Sequence, residues 1–455
     1  MVVSVQQTLV IPLLPRMMTI FHTSVTSVTW IFTASLLAGA VATPLLSRFG
    51  DMYGKKKMIL TAMALLFAGS VICALSGSLG VLIAGRALQG TSAALIPLAI
   101  GMIRDTFPHE RVTTAIGVVS ATMGTGATLG MIATGLIADH VHSHRPVFWI
   151  AAGLAAAGGA LISVSARDVG TRVGGRPDLI GAILLAAWLV CLLLAISEGN
   201  VWGWTSGGLL GLFGGAVALC ALWVAVERGI RAPLVRMRLL VGSKSLSANV
   251  ISMLLGFSLY AAFTLLSTFV QTPQRFGYGL GGSVLDVGLY LLPSTVTMLV
   301  CSAYAGRITA AIGAAFTVAI GSVFAGLCYL WLAVSNGHGS DILIFGAIQG
   351  IGFGIAYAAL GTLAVQHVPM EQSGIASGVN ALVRVTGGSV SAAATAAVLT
   401  GNVLPRTAVP SLHGYILCFV IAAVGALLAA TVAVVHGVRH RHVPAAAPVP
   451  VPATP

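Results

Sequence analysis

Few residues in this chain could do chemistry, and their placement is unusual. Arg86 lies inside an apolar stretch, with Gln89 three residues later on the same helical face. An arginine near the centre of a bilayer costs about 2.5–3.5 kcal/mol, so Arg86 is expected to face a bundle interior and polar partners. Arg384, about a third of the way along a later apolar stretch, reads either as a snorkelling side chain or as a second positive group facing a cavity. For Asn380, Gln349 and Tyr357 an interhelical hydrogen bond is as good a reading as a cavity role. The segment Ser47 to Lys57 carries Asp51, then Gly54, then Lys55, Lys56 and Lys57. The chemistry these residues offer is non-covalent: solvation of a buried charge, hydrogen bonding and ion pairing.

The remaining reactive types exclude other classes. None of the eleven carboxylates lies in the middle of an apolar span; Asp286 comes nearest. No nucleophile elbow, phosphate loop or paired-carboxylate site occurs, so enzyme chemistry and a bound cofactor are not expected. His140, His142 and His144 alternate on a short segment with Asp139, and read as a solvated loop rather than a metal site. All six cysteines fall in apolar stretches without a CxxC pair, as buried small hydrophobes do.

What must position these groups is a membrane. Apolar residues make up 57% of the chain and charged ones 7%, with mean hydropathy +0.99, against about a quarter charged in soluble domains. The apolar runs recur at spanning length, and backbone satisfaction in lipid demands helices. Fourteen spans are predicted, near 2–21, 28–46, 58–80, 81–103, 115–138, 147–166, 179–197, 207–226, 245–270, 284–305, 314–335, 342–366, 373–399 and 412–437. The first, interrupted by Pro12 and Pro15 and lacking a basic lead, reads as a helix rather than a cleaved signal.

With the N-terminus inside, 17 of the 23 lysines and arginines fall in inner loops or the tail, four outside and two in the membrane. This bias puts both termini in the cytoplasm, and the net charge of +12 then encodes topology rather than a nucleic-acid site. A repeat is legible as well: Arg48 and Gly54 recur as Arg307 and Gly313, and Gly117 and Gly126 as Gly378 and Gly387. A duplicated six-helix unit follows, with 1–166 and 244–437 as the copies. Residues 167–243 supply a linker and two inserted helices, and 438–455 a disordered cytoplasmic tail.

The order Asp51-x-x-Gly54 followed by bases, between helices 2 and 3 of such a unit, resembles the signature loop of the major facilitator superfamily. Arg86, Gln89 and Gly90 are similar to its helix-4 motif, and Gly126, Gly130, Met131, Thr134 and Gly135 to its helix-5 antiporter motif. Fourteen helices, Trp202-Gly-Trp204, and Pro233-Leu234 leading into helix 9 resemble the drug/proton antiporter branch. That resemblance implies export of amphipathic small molecules, proton coupling, and a helix-5 surface that seals the two halves. It further implies a cytoplasmic gate of Asp51, Gly54, Lys55 and Arg307. The chain departs from the pattern where a coupling acid is expected on helix 1 and Gln6 stands instead. Met131 replaces a proline, Thr134 a glycine, and Ala310 the acid of the second-half loop.

The fold expected is thus an all-α integral membrane protein of two six-helix transporter bundles plus two central helices, monomeric, in a bacterial plasma membrane. Its expected partners are a small-molecule substrate, protons and lipid. Arg86, Gln89, Gln6, Arg384 and Asn380 are the candidate cavity or coupling residues. Three functions are carried forward: a drug-efflux exporter; an exporter of an anionic or neutral metabolite or lipid with altered coupling; and a non-transporting membrane sensor.

Overall fold

The computed structural model describes residues 2–440 except 11–12, 14–16, 18–19, 24, 141–142, 144, 167–177, 231–241, 367, 369–372, 406 and 408. His142 and His144 of the histidine triplet, the linker between the sixth and seventh helices and most of the proline-rich tail fall outside these residues. Among the described residues the chain is all-helical, with one isolated bridge between Val403 and Pro410 and no strand.

In chain order the helices are α1 (Val2–Thr8), α2 (Val25–Tyr53), α3 (Lys55–Leu75), α4 (Leu79–Gly90 and Leu95–Thr106, joined by the tight turn Thr91–Ala94), α5 (His109–His140) and α6 (Arg145–Ser165). Next come α7 (Leu179–Trp202) and α8 (Gly207–Gly229). Last are α9 (Ser243–Gln271), α10 (Val284–Tyr290 and Leu292–Ile312), α11 (Ala314–Val334), α12 (Gly339–Val365), α13 (Ser373–Gly401) and α14 (Leu412–Arg439). Eleven of them, all but α1, α5 and α7, are long and apolar enough among the described residues to cross a membrane. Their outer faces fit lipid: Val164 and Val334 are 88% and 86% exposed, which water would penalise and hydrocarbon does not.

Short polar signals set the helix ends. Ser78, Asp178, Ser206 and Ser411 each accept a backbone N–H in the first turn of the helix that follows. Ser283 and Asp286 form a reciprocal cap, which occupies the carboxylate nearest to a span. Gly54 joins α2 to α3 with φ 110°, and Gly313 joins α10 to α11 with φ 87°, so both copies of the Arg-x5-Gly segment turn through a conformation that favours glycine. The same duplication appears in the packing. A Cβ at Gly90 would strike the Ser35 carbonyl, and one at Gly350 the Ser294 carbonyl. The two close approaches are offset by 294 − 35 = 259 and 350 − 90 = 260 positions.

Two apolar cores result. Val5, Leu9, Ile31, Leu82 and Phe148 fill one, from α1, α2, α4 and α6. Phe269, Tyr329, Phe345 and Phe419 fill the other, from α9, α11, α12 and α14. Between them α5 packs on α10 and α12, and α2 on α13. The pair α7–α8, joined by Trp188 against Trp223 at 5.9 Å, reaches the molecule through α7, which packs on both α2 and α13.

Candidate functional site

Where α2 and α13 meet at the end of the bundle that carries Asp51, the seam is closed. Ala40, Ala376, Val379 and Leu382 are buried together with Leu185 and Leu189 of α7, and Gly378 sits against Thr43 and Ser47. Further from that end the two helices separate around a cavity of about 270 Å³. Its body is apolar and aromatic: Phe32 and Leu36 from α2, Leu259, Tyr260 and Phe263 from α9, Met298 from α10, Val385 and Ala392 from α13. Small polar groups interrupt it on three helices: Ser4, Gln7 and Thr8 on α1; Thr264, Ser267 and Thr268 on α9; Ser389 on α13. Among the described residues no aspartate, glutamate, lysine, arginine or histidine lines it.

Behind the α1–α2 wall lies the polar group centred on Arg86, which is 0% exposed. Its Nε donates to the Ile31 carbonyl at 3.0 Å and its Nη1 to Gln89 Oε1 at 2.8 Å and to the Gln6 carbonyl at 3.3 Å. Gln89 Nε2 in turn donates to Ser70 Oγ at 2.7 Å, and Gln6 Nε2 lies 3.4 Å from Gln89 Oε1. The fold therefore brings Arg86, Gln89 and Gln6 into one node, but none of them is among the residues that line the cavity. A buried guanidinium with neutral acceptors only is an expensive arrangement, tolerated because backbone carbonyls supply the hydrogen bonds.

Asn380 also packs rather than faces the cavity. Its Nδ2 donates to the Ala248 carbonyl at 3.1 Å, and Ser252 Oγ donates back to Asn380 Oδ1 at 3.1 Å, which clamps α13 to α9. Arg384, one turn on, is half-buried and adjacent to Val385 of the lining; its guanidinium lies 5.2 Å from the Tyr357 ring.

The closed end has its own electrostatics. Asp51, 2% exposed, accepts a hydrogen bond from the Ile375 backbone N–H of α13 at 3.0 Å. Lys55 Nζ bridges Asp51 Oδ1 at 3.3 Å and Asp105 Oδ2 at 2.6 Å. Beside it Arg104 donates to the Val368 carbonyl at 2.8 Å, a second tie between the halves. Arg307 takes no part: it is exposed and stacks over Tyr304 at 5.7 Å. The physical reason is visible in the second copy of the loop, where Ala310 offers no carboxylate to organise a cation.

The description of the Major Facilitator Superfamily matches residues 1–392. The chain belongs to that family. It is a multi-pass membrane transporter of the major facilitator superfamily rather than an enzyme. Among relatives, it is 29% identical over 413 residues to the tetracenomycin C resistance and export protein of Streptomyces glaucescens, covering 89% of this chain and 74% of that one. It is 26% identical to the multidrug resistance protein Stp of Mycobacterium tuberculosis, covering 81% and 68%, and 26% identical to the multidrug transporter protein MdtP of Bacillus subtilis, covering 84% and 71%. The fold matches the human organic anion transporter MFSD10 at TM-score 0.65 and 16% identity over 95% of this chain and 96% of that one. It matches the Escherichia coli fucose:proton symporter FucP at TM-score 0.63 and 12% identity over 96% of both chains.

Within this superfamily member the α5 motif divides its contacts. Gly130 lies against Val5 and Thr8 of α1, and Thr134 Oγ1 donates to the Leu9 carbonyl at 2.9 Å, so these two serve the first half internally. Gly135 instead abuts Leu285 of α10, and Thr128 pairs with Thr295 at 2.6 Å, across the halves. Gly126 is buried, and the Met131 side chain is outside the described residues. The lining hydroxyls were missed by sequence reasoning. Their signal is periodic: Ser4, Gln7 and Thr8, and again Thr264, Ser267 and Thr268, follow i, i+3, i+4 on one helical face.

Proposed function

We propose that this protein exports amphipathic or lipophilic small molecules by alternating access, the two halves rocking about the cavity between α2 and α13. The observation that carries this reading is a mostly apolar cavity at the interface of the halves, closed at the Asp51 end by two interhelical ties. Relatives named for antibiotic and multidrug export support the direction of transport. Lysine and arginine bias supports a cytoplasmic Asp51 end and cytoplasmic termini in a bacterial plasma membrane, with the cavity belonging to an outward-facing state.

The same reading takes α1, α5 and α7 as spans beside the eleven long apolar helices, which gives the fourteen-helix drug/proton antiporter branch. Two six-helix units, 1–166 and 244–437, then flank the α7–α8 pair. Proton coupling, implied by resemblance to that branch, belongs to the Asp51, Lys55 and Asp105 cluster, because no acid or histidine is among the described lining residues. Export is tested in cells stripped of their own efflux systems with a panel of amphipathic dyes of either charge. Cells making this chain should retain less of at least one dye than cells making none. Equal retention of every dye at normal membrane abundance would sink the proposal.

A further inference from the structure

Resting on the reading of this cavity as the transport site, we infer that Arg384, one residue before the lining Val385 and backed by Tyr260 and Tyr357, is an anion-recognition point just outside the cavity wall that a bound cargo reaches, and that the cargo is an organic anion with an apolar ring body. Arg384 is placed by three contacts. Its stem lies over α9 at Gly256, where an added Cβ would come within 2.9 Å of Arg384 Cγ; its guanidinium faces the Tyr357 ring at 5.2 Å; and the next residue, Val385, lines the cavity. Tyr260, one turn beyond Gly256 on α9, carries the wall from Arg384 into the cavity and lies within its electrostatic reach.

Access separates this arginine from the other one in the membrane. Arg86 is sealed at 0% exposure and held by three acceptors, whereas Arg384 is half-buried beside the cavity. A guanidinium in a low-dielectric site favours an anion, presenting several N–H donors to carboxylate, sulfonate or phenolate oxygens. No described lining residue offers the carboxylate a lipophilic cation would need, so a cation meets repulsion from Arg384 with no counter-charge among these residues. Phe32, Phe263, Leu36 and Met298 suit a flat apolar body, and the hydroxyls of Thr264, Thr268 and Ser389 leave room for polar substituents.

The test uses three probes that share one ring system and differ in charge: naphthalene-2-sulfonate, naphthalene-2-carboxamide and trimethyl-2-naphthylammonium. Equilibrium binding is measured on the full chain in detergent, and flux in proteoliposomes. The sulfonate should bind about tenfold or more tightly than the ammonium, as hydrogen bonds to charged groups predict. Arg384→Gln should remove that margin while leaving carboxamide binding unchanged, and Arg384→Lys should restore part of it. Failure of the sulfonate to bind, ammonium binding as tight as sulfonate binding, or an equal loss of all three probes in Arg384→Gln would each overturn the inference. Selective sulfonate binding without flux would leave the anion site standing and remove the transport reading. Flux of all three at equal rates would do the reverse.

Discussion

The two halves repeat one backbone frame and fill it with different charge. In the first, Gln89 sits beside Arg86, and four helices close over the guanidinium. In the second, the matching positions on α12 are Gln349 and Gly346; Gln349 accepts from Ser294 Oγ at 3.2 Å, and glycine stands where the first half has its arginine. The second half carries its arginine on α13 instead, one residue before Val385 of the cavity lining and against the Tyr357 ring. A charge locked behind a wall organises helices, and one left at the edge can meet cargo. Position relative to the cavity, more than residue type, separates the two roles.

The largest effect should come from exchanging the arginines for leucine. Arg86→Leu removes three charge-assisted hydrogen bonds, to Ile31, Gln6 and Gln89, each worth about 1.5–3 kcal/mol. Arg384→Leu removes the contact with the Tyr357 ring and should change stability by about 0.5–1 kcal/mol. Thermal denaturation of both variants in the same detergent checks this; equal losses would break the comparison.

Asp51→Asn should come next. It removes the charge from the hydrogen bond to Ile375 and from the pair with Lys55, so the closed end should loosen by about 1.5 kcal/mol, roughly a tenfold shift in population. A cysteine introduced by Thr43→Cys, in a chain freed of its six native cysteines, should then react faster with a maleimide. Unchanged labelling with normal membrane levels would count against the gate.

The smallest expected effect is the one that sharpens the comparison most. Gln6→Asp would place a carboxylate against Arg86, giving the sealed node a titratable partner. Transport should then gain a few-fold dependence on a pH gradient. Identical fluxes with and without the gradient in both proteins would show that the node is structural only.

How much of this was legible depended on whether neighbours had to be known. Helical spans and the Gly54 turn follow from local composition, and Arg86 with Gln89 from spacing on one helix. Asn380 was open between cavity and packing, and its bonds to Ala248 and Asn249 place it in packing. The cavity hydroxyls were not legible, because a Ser/Thr stripe on an apolar helix reads equally as helix packing until the rotation of that helix is fixed. The direction of Gly130 failed to show for the same reason. Arg307 misled through the repeat: sequence symmetry carried the base into the second half, but the acid that would hold it did not follow.

Arg86 has one further consequence, a mechanical one. Its guanidinium and Gln89 join α1, α2, α3 and α4 through bonds that all lie on one side of the seam. If the halves rock as proposed, a half loses stroke when its helices bend under load, and a multidentate pin at the centre of four helices would stiffen it without touching the seam, so that the sealed charge would act on motion without touching the cargo.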